Sequence, residues 1–514
     1  MSEYDVVVIG AGVAGSAMAH ALATMEVVRP LKIALVERSL AEPDRIVGEL
    51  LQPGGMDALK KLGLQDTTED IDAIPVHGYA VLNAGSTVHI PYPGTAEGRS
   101  FHHGRFVMRL REAAMKHSNV ETIEAVVSDL VEENGKIAGI RARRKDRDEE
   151  ETFSAGLTIV ADGCFSKFRN RVLRPSALKP QTRSHFVGAV LKDARLPIPQ
   201  HGTVALTTNG PVLLYQIGEH DTRMLVDVKG ASLPRDLAVR HWIFPPLITL
   251  LTFLQGYVRQ NVIPELPPAL RAPIEAAISS ERLRSMPNSF LPPSQQGSSH
   301  HPPGVLLLGD SWNMRHPLTG GGMTVAFSDV VILQRLLTEY LASRGPDIHE
   351  GVKSTWSEWD ELAGLLRKWH WERKSLASTV NILSVALYDL FGANDENLHV
   401  LRTGCFKYFE RGGECVNGPV SLLSALAPRP GLLMYHFFSV AFYSIWILFT
   451  QPKPKVIPYP EDVRPGNTTP SDSVEENKAP SLGDYPRLFA QSFAVFWTAC
   501  IVFGPLLWSE IRWW

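Results

Sequence analysis

The sequence predicts an α/β fold: a Rossmann-like nucleotide domain carrying an antiparallel-sheet lobe and followed by apolar C-terminal helices. Three observations predict it. The first is Tyr4 to Ile9, an apolar run that leads directly into Gly10-Ala11-Gly12-Val13-Ala14-Gly15 and then into helix-compatible sequence. The second is the set of short alternating strands between Phe186 and Val228. The third is a pair of long uncharged runs near the C-terminus, between Arg429 and Lys453 and between Arg487 and Glu510.

The first unit reads as strand, glycine turn, helix. Gly10 permits the tight turn, Gly12 has no Cβ to obstruct a pyrophosphate, and Gly15 lets the helix pack close to its strand. Phosphates would rest on the helix N-terminus, where free N–H groups and the dipole favour anions. A second strand at Lys32 to Val36 ends at Glu37, about twenty residues past the glycines, where a carboxylate can accept from a ribose hydroxyl. This unit alone fits either NAD or FAD.

Further along, Glu42 to Gly55 is rich in turn residues and reads as a loop, with a helix from Met56 to Leu62 and another between Phe101 and Lys116. Strands at Thr122 to Val127 and Lys136 to Arg143 flank an Asn134-Gly135 turn. Arg141 to Glu151 reads as a solvated hairpin end. Leu157 to Ala161 is a buried strand ending at Asp162-Gly163, and Val305 to Leu308 is another, ending at Gly309-Asp310. The lobe strands are Val187 to Leu191, Thr203 to Leu206, Val212 to Ile217 and Met224 to Val228, a suitable roof for a substrate pocket. Gly320-Gly321-Gly322 precedes a long helix, Thr324 to Leu341, and a helix-rich stretch runs from Trp356 to Phe391.

The expected division is 1–180 and 301–345 for the two parts of the nucleotide domain, 181–300 for the substrate lobe, 346–428 for a helical region and 429–514 for the last helices. Both uncharged runs are long enough to span or embed in a bilayer, and aromatics along them, with Trp508, Trp513 and Trp514 at the end, favour a membrane over two core helices. The linker Gln451 to Pro486 has a near balance of basic and acidic residues, so a spanning hairpin and a monotopic pair both stand.

Composition excludes several classes. A net charge of −3 gives no argument for a nucleic-acid partner. The four cysteines, Cys164, Cys405, Cys415 and Cys500, have no CxxC spacing, so neither a metal site nor a disulfide framework is expected. No basic segment followed by an apolar one stands before Tyr4, which argues against a cleaved signal peptide and places the body toward the cytosol.

Three strand ends carrying glycine and acid are more than NAD requires and suit FAD, whose ribityl chain and ring extend well past the first helix. Asp310 is placed for ribityl hydroxyls, Asp162 marks the middle strand end, and the triple glycine lets backbone N–H groups approach the edge of the ring that gains negative charge on reduction. The fold class is then an FAD-binding Rossmann-like (GR2-type) domain with an antiparallel-sheet substrate lobe and C-terminal membrane-associated helices. Tyr79 and Gln52 each read two ways, as site residues or as a strand tyrosine with a satisfied hydroxyl and a loop-capping amide.

The same residues carry a resemblance. GAGVAG, Glu37-Arg38, Asp162-Gly163 and Gly309-Asp310 are similar to the FAD-dependent monooxygenases of the hydroxybenzoate hydroxylase type. EPDRIVGELLQPGG from Glu42, FHHGRF from Phe101, GDSWNMRHPLTGGGMTVA from Gly309 and GGECVNGPVSLL from Gly412 more narrowly resemble the squalene epoxidase family, from about Asp5 to the last tryptophans. The resemblance implies FAD, NADPH as electron source through a membrane-bound NADPH-dependent diflavin reductase, molecular oxygen, squalene as substrate with the 2,3-epoxide as product, and the endoplasmic reticulum membrane. By matching motif it implies flavin contacts at Val13, Ala14, Glu37, Arg38, Arg45, Leu50, Arg111, Val127, Asp310 and Met323, with Gln52 and Tyr79 beside the isoalloxazine.

A hydrocarbon substrate needs a long apolar pocket open to lipid, and Phe406, Leu426, Phe437 and Phe438 are candidates for its wall. A flavoenzyme that reduces isoprenoid double bonds is the rival reading. His241 to Gln255 departs from the family; 241–256 reads as an atypical insertion, either a membrane-touching loop or a retained untranslated stretch, expected to pack poorly.

Overall fold

A computed structural model describes residues 2–83, 85–174, 178–230, 246–280, 283–343, 356, 358–392, 395–450 and 482–511. Trp513, Trp514, the linker from 451 to 481 and residues 241–245 of the expected insertion lie outside the described residues.

Strand Ser2–Ile9 forms the centre of the first sheet, with Ile33–Glu37 on one side and Glu150–Val160 on the other, all parallel. Val120–Glu133 extends the parallel set beyond Ile33–Glu37, and Val305–Leu307 extends it beyond Glu150–Val160. Such strands are covered on both faces, so they read as continuous apolar runs, and Val6, Val7 and Val8 have no exposed surface. Lys136–Arg144 pairs antiparallel with both long neighbours, so the mixed-charge stretch after it is a hairpin end as expected. Helix Val13–Ala23 is buried from Gly15 to Leu22 because it lies against the sheet and against helices His103–Met115 and Gly322–Ala342.

The second sheet has seven strands in the order Arg284–Phe290, Gln181–Lys192, Asp221–Lys229, Gly210–Gln216, Gly202–Thr207, Gly78–Asn83 and Ser86–Pro91. It is antiparallel except where Gly202–Thr207 meets Gly78–Asn83. Strands 78–83 and 86–91 thus leave the 1–180 segment to join the lobe, a crossover that alternation within each strand does not reveal. A third, small sheet pairs Leu50–Leu51 and Ile74–Val76 with Gly98–Ser100. The stretch read as a loop from Glu42 to Gly55 therefore holds a short strand, and helix Pro53–Lys61 begins inside it, with Pro53 in the first turn where its missing N–H costs nothing.

The expected poor packing of 241–256 is not met at Leu254 and Gln255, while the side chains of 241–253 lie outside the described residues. Helix Pro246–Asn261 runs through its second half; Leu254 is buried with Val258 and Val262 against the second sheet, and Gln255 Nε2 donates to the Ile278 carbonyl at 2.6 Å. Pro246 is the first residue of the helix, leaving its interior unbroken.

Helices Trp359–Glu372, Lys374–Phe391, Glu396–Glu410 and Glu414–Leu423 cover the far side of the cleft between the sheets. Pro430–Thr450 and Tyr485–Ile511 pack on one another and on these helices, and both are long and apolar enough to cross a membrane.

Candidate active site

The two sheets, the glycine turn and the start of helix Gly322–Ala342 enclose a cavity of about 370 Å³. The three glycines of the turn are needed for three different reasons. Gly10 has φ +98°, and a Cβ there would stand 2.5 Å from the Ala161 carbonyl oxygen; at Gly15 one would stand 1.8 Å from the Gly10 carbonyl oxygen. At Gly12 a Cβ would meet nothing within 4 Å, so the space in front of the helix is open. No side chain caps helix Val13–Ala23 or helix Gly322–Ala342, which leaves their first N–H groups available to a ligand.

Behind the turn, the Glu37 carboxylate accepts the Ala11 N–H at 2.8 Å, and the buried Arg111 donates through Nε to the Ala11 carbonyl at 2.8 Å. The two side chains hold the N–H and the carbonyl of one residue, and so the peptide groups on either side of Ala11, and fix the turn. Burial lowers the Arg111 guanidinium from its usual value, and the Glu37 charge opposes that shift.

Of the residues named from sequence, Gly12, Val13, Ala14, Arg45, Leu50, Gln52, Tyr79, Asp310 and Met323 line the cavity. Glu37 and the exposed Arg38 at the end of strand Ile33–Glu37, Arg111 on helix His103–Met115 and Val127 inside strand Val120–Glu133 lie outside its wall. Asp162 also stands outside the wall: its Oδ2 accepts from the Lys167 N–H at 3.0 Å, burial raises its pKa, and Gly163 and Cys164 face the cavity instead. Of the four wall candidates, Phe437 borders a smaller apolar cavity between the C-terminal helices. Phe406 sits in the hydrophobic cluster that contains Leu50, Leu213 and Leu318 of the large cavity and Cys405 and Phe409 of the small one. Phe438 packs on Phe437 and Phe503, and Leu426 is half-buried at the end of helix Glu414–Leu423.

Gln52 does not cap the helix it precedes. Its Nε2 donates to the Tyr79 hydroxyl at 2.5 Å and to the Thr319 carbonyl at 2.8 Å, and its Oε1 accepts from the Tyr92 hydroxyl at 2.6 Å. Burial pushes the Tyr79 hydroxyl up to about 12, so it keeps its proton at neutral pH. Gly320, with φ +62°, turns the chain beside this amide, as a Cβ there would stand 3.1 Å from Gln52 Nε2.

Sequence reasoning missed four features of the wall. Tyr92 completes the Gln52 network. Glu49 forms a bidentate, buried pair with Arg223 at 2.7 and 2.9 Å and accepts from Tyr215. Arg315 is buried behind the triple glycine. His103 Nδ1 lies 2.8 Å from the Gly48 carbonyl, which can only accept, so this nitrogen carries the proton; burial, with Arg45 and Arg111 nearby, pushes its pKa down to about 4. Glu49 and Arg315 lie inside motifs already singled out, whereas Arg223 is an ordinary position in the sequence of its strand.

The large cavity fits a flavin dinucleotide. It joins an open glycine turn, two uncapped helix N-termini, the Asp310 carboxylate and a second, glycine-lined end with no atom within 4 Å of a Cβ built on Gly322. The buried Thr319 hydroxyl at the same end is left without a partner among the described residues.

Residues 3–211 match the FAD binding domain family, and residues 154–459 match the squalene epoxidase family. The chain belongs to the squalene epoxidase family. It is 40% identical over 520 residues to squalene monooxygenase of Mus musculus, covering 100% of this chain and 79% of that protein. It is 42% identical over 518 residues to a squalene epoxidase of Aspergillus fumigatus, covering 98% of this chain and 93% of that one. Among solved structures it resembles p-nitrophenol 4-monooxygenase from Pseudomonas putida, with a TM-score of 0.61 at 15% identity over 85% of this chain and 98% of that one, which shows a shared fold. As a squalene epoxidase family member it is an FAD-dependent monooxygenase, and FAD is its cofactor.

Proposed function

We propose that this chain converts squalene to (S)-2,3-epoxysqualene (2,3-oxidosqualene) in sterol biosynthesis, using molecular oxygen and reducing equivalents from NADPH. The observation that carries this reading is the composition of the cavity, whose glycine-rich floor suits a dinucleotide while its roof is hydrocarbon: Leu50, Val204, Leu213, Leu225 and Leu318. A triterpene offers nothing to hydrogen-bond, so shape and exclusion of water must hold it.

Bound FAD supplies the reductive activation of oxygen and the transfer of one oxygen atom to an alkene, the other leaving as water. The chain's own residues do the rest. The first turns of helices Val13–Ala23 and Gly322–Ala342 hold the phosphates and the ring edge, and Asp310 holds the ribityl hydroxyls. Glu37, Arg38 and Val127 serve the adenosine end. Gln52 donates to the Tyr79 oxygen and the Tyr79 hydroxyl donates in turn to the Thr319 carbonyl at 3.5 Å, a long contact that a ligand acceptor in the cavity can replace; its raised pKa makes it a donor and not a base. The leucine roof shuts out water. Phe406 and Phe437, in the apolar packing that runs toward the C-terminal helices, guide the hydrocarbon, with Phe438 behind Phe437 and Leu426 just past helix Glu414–Leu423.

Helices Pro430–Thr450 and Tyr485–Ile511 attach the protein to the endoplasmic reticulum membrane with the catalytic body in the cytosol, where a membrane-bound NADPH-dependent diflavin reductase delivers electrons. The test is stoichiometry in detergent with squalene, NADPH and reductase. One oxygen consumed per epoxide supports the reading. A hydrogenated product without oxygen uptake refutes epoxidation, and fast turnover on NADPH without reductase refutes the electron route.

A further inference from the structure

The helix Tyr485–Ile511 carries a buried carboxylate near its end. Glu510 is 4% exposed; its Oε1 accepts from Asn381 Nδ2 and its Oε2 from the Ser378 hydroxyl, each at 2.8 Å, while its backbone carbonyl accepts from Lys374. Asn381, which has no exposed surface, turns its other end to Arg315: its Oδ1 accepts from Arg315 Nε at 2.8 Å. Arg315 in turn donates from Nη1 to the Gly322 carbonyl at 3.3 Å and from Nη2 to Asn313 Oδ1 at 2.7 Å, and it borders the large cavity. One buried chain of hydrogen bonds therefore runs from the apolar C-terminal helix to the glycine turn.

Charge explains why such a chain persists. Asp329 is matched nearby by Arg373, through a bidentate contact at 2.7 and 2.8 Å. Arg315 has no carboxylate among its described hydrogen-bond partners; Asp310, Asp329 and Glu510 all act on it through space, and Glu510 is the one joined to it through a single intervening side chain. A buried polar relay with every link made is rigid, and removing one end leaves donors unsatisfied.

We propose that Glu510 is a positioning residue that acts through Asn381 to hold the Arg315 guanidinium against the triple-glycine turn, so that the end of the C-terminal helix sets the charge at the flavin's ring. The inference rests on the assignment of the cavity to FAD. A cation fixed there stabilises the negative charge that the ring gains on reduction, so its loss favours oxidised flavin.

The test is the midpoint potential of the bound flavin in full-length protein. Glu510→Ala removes the carboxylate, and Asn381→Leu breaks the relay without changing any residue of the C-terminal helix; the second also serves if the first does not fold. Each is expected to shift the reduced-to-oxidised ratio about tenfold toward oxidised flavin, about 30 mV for a two-electron couple. Arg315→Gln shifts it at least as far, and Glu510→Ala combined with Arg315→Gln goes no further than Arg315→Gln alone. A wild-type potential in Asn381→Leu, or a double-variant shift equal to the sum of the singles, overturns the proposal, because a merely structural anchor lowers the melting temperature without moving the potential. Wild-type protein that takes up no FAD would instead remove the cavity assignment, and this inference with it.

Discussion

The Gln52 amide stands 2.5 Å from the Tyr79 hydroxyl and spends its second N–H on the Thr319 carbonyl, so one side chain ties the lobe to the turn that leads into the triple glycine. Tyr79→Phe removes the acceptor while keeping the ring packed edge-on against Tyr92. The expected result is a kcat about tenfold lower, the ~1.4 kcal/mol scale of one buried hydrogen bond, with unchanged flavin content. Wild-type kcat would remove Tyr79 from the site.

Gly10 and Gly12 separate folding from binding. Gly12→Ala places a methyl group where no protein atom lies within 4 Å, so melting temperature stays near wild type while FAD affinity falls at least tenfold. Gly10→Ala forces a positive φ and a clash with the Ala161 carbonyl, so stability and flavin are lost together. Calorimetry and flavin fluorescence read the two effects. A Gly12→Ala protein that binds FAD normally would place the pyrophosphate elsewhere.

The C-terminal helices expose Phe442, Trp446, Phe489, Phe493, Trp497 and Ile501, a band that water would not favour. Replacing Phe493 and Trp497 by aspartate is expected to shift the protein from the floating to the soluble fraction in vesicle flotation, with flavin retained. Unchanged flotation would show that this band does not meet lipid.

His103 gives the pH dependence its sign. Its folded pKa of about 4 lies below the ordinary 6.5, so between these values the unfolded chain binds the extra proton. Stability is therefore full above pH 6.5 and falls as pH drops toward 4, by about 3 kcal/mol from this group. His370, lowered to about 3, adds to the same limb. Denaturant titrations of His103→Gln should show a shallower acid limb; an identical limb would mean that His103 is not buried as a neutral ring.

Much of the site was legible because its parts are local. The glycine turn, Glu37, Asp310 and the triple glycine each follow a buried strand or precede a helix within a few residues, and periodicity finds such junctions. Long-range contacts were not legible. Arg223 meets Glu49 across strands distant in sequence, and nothing in the sequence of its own strand, which is buried on both faces from Thr222 to Val228, marks it as paired there. Strands 78–83 and 86–91 crossed to the second sheet for the same reason, since register between distant strands is set by packing. Asp162 carried the right local signal, yet its carboxylate turned back on Lys167 N–H and left the wall to Gly163 and Cys164.

The central claim is that oxygen from air enters a hydrocarbon held over the flavin. Purified protein with reductase, NADPH and squalene under ¹⁸O₂, followed by mass spectrometry of the product, measures it most directly. The account predicts one heavy oxygen atom per epoxide, none drawn from solvent. A product that carries oxygen from water, or one that is reduced and carries none, would contradict it.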